Sequence, residues 1–155
     1  MIRLVLHWLI VIIFALTEVS LAIWLDWGTP HLVLAGLLAL SLAGDRLDSL
    51  WWIGLGGILL DALSGAGLGL NLVLFTLVSG SLLWLTERTL HQPTLLVASL
   101  VFLLYSLGYE LALSLINGAV AWQLVGPSLA TTLVAIGAYY LIRLQNTRRE
   151  IIRLA

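Results

Sequence analysis

Gly54-Leu55-Gly56-Gly57-Ile58-Leu59-Leu60-Asp61-Ala62-Leu63-Ser64-Gly65-Ala66-Gly67-Leu68-Gly69-Leu70-Asn71 sets a lone carboxylate, Asp61, at the end of an apolar run, follows it with a Gly/Ser turn, and starts a second apolar run at once. In a soluble protein this would be a strange loop. In a bilayer it reads as one helix ending in an ionisable group and another beginning. Charge inside a membrane is expensive, so Asp61 is a functional-site candidate by default.

The rest of the chain supports the membrane reading. Apolar residues make up 61% of it, charged residues 10%, and mean hydropathy is +1.10. Soluble domains carry about a quarter charged residues. Most of this apolar surface must face lipid or other helices, and an open sheet edge cannot face lipid, so the expected class is an all-α integral membrane protein. The chain has no cysteine and no lysine. Disulfide, thiolate-metal, Schiff-base and Walker-type phosphate chemistry are thereby excluded. Met1-Ile2-Arg3 and the apolar residues after it resemble a signal peptide. The run continues past Thr17 and Glu18 to Leu25 without a cleavage site, so it reads as a retained transmembrane helix.

Polar and turn residues divide the chain into six spans, 4–25, 30–43, 50–63, 68–85, 94–116 and 119–142, followed by a basic amphipathic tail, 143–155. The second and third spans reach about 21 Å at 1.5 Å per residue, short of a hydrocarbon core of about 30 Å. They borrow loop residues, pack half-buried among longer helices, or form a re-entrant hairpin. Threading six spans puts Arg3, Arg46, Arg88, Arg143, Arg148, Arg149 and Arg153, every arginine in the chain, on the side of the termini. The positive-inside rule makes that side cytoplasmic. Trp8, Trp24, Trp27, Trp51, Trp52, Trp84 and Trp122 fall near span ends, where indoles prefer the headgroup level. In the tail, Arg143, Arg148, Arg149 and Arg153 are placed to meet anionic headgroups.

Three acids lie in or at the edge of spans: Glu18, Asp61 and Glu110. With every arginine at a cytoplasmic end, no intramembrane base is expected to partner them. That favours a structural or partner-binding role over transport. His7, His31 and His91 fall in separate segments without a second ligand at helical spacing, so they read as helix-end or interfacial residues and no metal site is expected. Ser106, Glu110, Ser114 and Asn117 form a polar stripe that should face other helices. Gly54, Gly57 and Asp61 share a helical face on which the glycines admit a close neighbour. Gly65, Gly67 and Gly69 permit a sharp reversal with positive φ, beside Ser64, and Asn71 can cap that turn. Ser79-Gly80-Ser81 has no histidine at its depth, and no cofactor motif appears, so an enzyme is not expected.

Gly57-Ile58-Leu59-Leu60-Asp61-Ala62-Leu63-Ser64-Gly65, with Leu68-Gly69-Leu70-Asn71, resembles the core signature of the MreD family of bacterial rod shape-determining membrane proteins. The short second span led by Pro30 and the chain length are also similar. The resemblance implies a non-catalytic membrane scaffold of the wall-elongation complex in the bacterial inner membrane. It would bind the bitopic MreC and support lateral peptidoglycan synthesis by the elongation transpeptidase and its SEDS-type glycosyltransferase, with MreB filaments as indirect partners. The implied fold looks like the six-helix substrate-binding subunit of ECF vitamin transporters, so such a small-molecule-binding subunit is the alternative. Carried over by position, Gly57, Asp61, Gly65, Gly69 and Asn71 match the motif.

Overall fold

The computed structural model describes residues 2–24, 29–43, 46–64, 69–88, 93–117 and 125–154, with side chains excepted at 2–4, 6, 46–47, 117 and 148–154. Its elements are α1 (Ile2–Trp24), α2 (Leu32–Ala43), α3 (Arg46–Ser64), α4 (Leu70–Arg88), α5 (Leu95–Asn117) and α6 (Val125–Leu154). Among the described residues all regular structure is helical. Four segments, His7–Trp24, Leu70–Arg88, Leu95–Ile116 and Val125–Thr147, are long and apolar enough to cross a membrane.

The two short spans resolve differently. α2 stays short, 12 residues, or about 18 Å. Every residue from Val33 to Ser41 is buried, and α2 touches every other helix. It is a central half-length helix whose first turn lies inside the bundle. α3 lengthens to 19 residues by taking in residues of the expected preceding loop. α6 begins later than the expected sixth span and continues without a break through most of the stretch read as a tail.

Between apolar helices in lipid, association rests on close packing and interhelical hydrogen bonds. The glycines show where the packing is tightest. A Cβ on Gly57 would lie 2.6 Å from the Leu72 Cα, so only glycine admits the α4 backbone there. A Cβ on Gly36 would lie 2.1 Å from the Trp52 ring. Trp52 is therefore a core residue, set edge-on to Phe14, and not the interfacial one its neighbour Trp51 resembles. Gly54, expected to share the close approach with Gly57, faces open space. Trp8, Trp24, Trp51 and Trp84 are exposed, and the Arg88 guanidinium lies 5.1 Å over the Trp84 ring. Trp27, Trp122 and His91 lie outside the described residues.

The helices alternate in direction. The ends of α1, α3 and α5 meet the starts of α2, α4 and α6 at one pole. At the opposite pole His7 lies 3.7 Å from Asp48. There Tyr139 donates to the Pro93 carbonyl at 3.2 Å, and Asn146 to the Ala43 carbonyl at 3.0 Å.

Candidate functional site: a buried polar layer that caps two helices

The first N–H groups of a helix have no partner within it. In hydrocarbon no water can supply one. α4 and α2 both begin inside the bundle, and each is capped by an acid from the preceding helix. Asp61, buried near the end of α3, accepts from the N–H of Gly69 at 2.9 Å and of Asn71 at 2.8 Å. A longer contact at 3.4 Å reaches the N–H of Leu72. Its negative charge also faces the positive end of the α4 dipole. Gly69 holds the turn at φ +99°, a left-handed conformation that suits glycine.

Glu18 does the same for α2. Its Oε2 accepts from the N–H of Val33 at 3.0 Å, while Oε1 lies 2.8 Å from His31 Nδ1. The N–H of His31 donates to Thr131 Oγ1 of α6 at 2.9 Å. On the other side of the imidazole, Nε2 lies 3.0 Å from Glu110 Oε1. That contact is an ion pair by distance but falls outside hydrogen-bond geometry, so Glu110 Oε1 is buried without a hydrogen bond. A carboxylate at each ring nitrogen is matched on both sides only by the doubly protonated imidazolium.

Tyr109 joins the two caps. Its hydroxyl donates to Asn71 Oδ1 at 2.5 Å, and its ring meets His31 edge-on at 5.0 Å between centroids. Asp61, Asn71, Tyr109, His31, Glu18, Glu110 and Thr131 thus form one polar layer to which every helix contributes or lies adjacent in sequence. Among the described residues, Asn71 works in two directions. Its N–H serves Asp61, and its side chain reaches α5.

Two expectations are corrected here. The intramembrane acids do have a base, because His31 sits between Glu18 and Glu110. His31 does precede a helix as read, but it is half-buried at the centre of the layer, between two carboxylates. Sequence reasoning missed His31, Tyr109 and Thr131 as members. Alternating span direction was the available signal, since it puts the start of the second span level with the ends of the first and fifth.

The remaining predicted residues scatter. Ser106 is buried and bonds Thr132 Oγ1 at 3.0 Å, linking α5 to α6. Ser114 is half-buried, and the side chain of Asn117 lies outside the described residues. Ser64 is exposed and donates to its own helix at Leu60 O, 2.6 Å. Gly65 and Gly67 lie outside the described residues. Arg143 is exposed at the opposite pole, and the side chains of Arg148, Arg149 and Arg153 fall outside the described set. Ser79 is buried against Ser41 Oγ at 3.0 Å, and His31 faces carboxylates, so the two are not paired as nucleophile and base.

Next to the layer an apolar groove of about 290 Å³ opens between α4 and α5, lined by Leu74, Leu77, Val78, Leu104 and Tyr109. Gly108 forms part of its floor and has no heavy atom within 4 Å of a would-be Cβ. Comparison with known proteins returned no matching family model, curated protein or solved structure.

Proposed function

We propose that the chain is a non-catalytic membrane scaffold of the bacterial wall-elongation machinery, of the MreD type. It would sit in the inner membrane with both termini cytoplasmic and bind an MreC-like bitopic partner. Through that complex it would support the elongation transpeptidase and SEDS-type glycosyltransferase, and indirectly MreB filaments. One observation carries the reading. Gly57, Asp61, Gly69 and Asn71, the signature residues with described positions, all hold α3, α4 and α5 together as a corner. Beside that corner the α4–α5 groove exposes a bare helix backbone at Gly108, the kind of surface on which a second transmembrane helix packs closely.

Co-purification from native membranes tests this. The wild-type chain should bring down an MreC-like partner. Gly108→Leu, which fills the groove from an exposed helix position, should reduce that capture several-fold without lowering the melting temperature. Isolation of a partner-free monomer, with normal cell shape after deletion, would sink the proposal.

A second reading is favoured by the His31-centred layer. Three acids and one imidazole in a buried cluster would also suit a small-molecule-binding subunit, with a fold like that of the ECF substrate-binding proteins. Recovery of a bound vitamin on mild extraction, lost in Glu110→Gln, would support this reading over the first.

A further inference from the structure

At the pole opposite the polar layer, two grooves meet on one face of α6. The first, about 320 Å³, is lined by Leu42, Ala43, Pro93, Arg143, Asn146 and Thr147 and is largely polar. The second, about 270 Å³, is largely apolar and is lined by Leu95, Tyr140 and Leu144. Tyr139, Arg143 and Thr147 belong to both. The polar groups around Arg143 already donate to backbone carbonyls: Tyr139 to Pro93, Asn146 to Ala43, and Thr147 to Arg143 itself. The Arg143 guanidinium has no such partner among the described residues. It stands four residues before the end of Val125–Thr147, a segment long and apolar enough to cross a membrane, and so near one end of that segment, where headgroups would lie.

We infer that this paired groove is a binding site for one anionic phospholipid, with the headgroup phosphate on Arg143 and an acyl chain laid along Leu95, Tyr140 and Leu144. A guanidinium offers phosphate a bidentate fork, and the two adjoining grooves match the two ends of an amphiphile. This inference is independent of the proposed scaffold role, because it concerns the opposite pole and needs no partner protein.

Native mass spectrometry of the purified chain tests it, with phosphatidylglycerol, phosphatidylcholine or inorganic phosphate added to the detergent micelle. The expected result is one retained phosphatidylglycerol per chain, in clear preference to phosphatidylcholine, and no retained inorganic phosphate. Arg143→Gln should weaken that retention about fivefold, and Leu95→Trp, which fills the apolar groove, should weaken it with the charge intact. Arg143 is exposed, so its replacement leaves the fold in place, and an unchanged melting temperature verifies this. Equal retention of both lipids, or retention unaffected by Arg143→Gln, would overturn the site. Retention of inorganic phosphate as strong as that of the lipid would show a free-anion site and also overturn it.

Discussion

Asp61 and Glu18 are both committed to backbone N–H groups of a helix other than their own. A carboxylate in this position removes the cost of an unpaired donor, about 1–3 kcal/mol for each group left buried. His31 then prevents Glu18 and Glu110 from facing each other as like charges. His31→Leu should therefore destabilise the chain by about 3–5 kcal/mol, the usual cost of breaking a buried ion pair from one side. In a Glu110→Gln background the same change should cost clearly less, because one of the two stranded charges is gone. Denaturant unfolding in micelles reads both values. Equal costs in the two backgrounds would show that His31 and Glu110 do not interact.

Helix by helix, the packing depends on where glycine is needed. Gly54 and Gly57 sit one turn apart on α3, yet only Gly57 faces a neighbouring backbone. Gly57→Ala should cost about 1–3 kcal/mol by overpacking against Leu72. Gly54→Ala should be neutral or stabilising by up to about 1 kcal/mol, since alanine is the better helix former. The melting temperature should fall for Gly57→Ala and not for Gly54→Ala, and an equal fall in both would refute the assignment of the α3–α4 contact. The number of helices was legible in the sequence because each apolar run ends at a polar or glycine-rich break. The length of α3 was not, because its first turn carries Arg46 and Asp48 and reads as loop. Trp52 likewise reads as interfacial, because nothing local shows that Gly36 leaves room for its ring.

For the molecule as a whole, the sequence showed the local half of the polar layer and concealed the distant half. Asp61 meets Gly69 and Asn71 across one turn, so the corner follows from a contiguous stretch. His31, Glu18, Glu110 and Tyr109 lie in different segments, and only the antiparallel order of the helices brings them to one depth. That order also makes a topological prediction. The chain has no native cysteine, so single Thr29→Cys and Thr147→Cys variants can be labelled with a membrane-impermeant maleimide in intact cells. Thr29→Cys should react and Thr147→Cys should not until the membrane is opened. The reverse pattern would invert the proposed orientation. The central claim is that Asp61 serves as a fixed hydrogen-bond acceptor, in a corner that we propose a partner protein recognises. Comparing Asp61→Asn with Asp61→Leu for thermal stability and partner capture tests it most directly. Asparagine keeps one of the two acceptor oxygens that the N–H groups of Gly69 and Asn71 use, so it should lose part of the stability and capture, while leucine should lose clearly more of both. If asparagine is as damaging as leucine, the remaining acceptor oxygen contributes nothing and the account is contradicted.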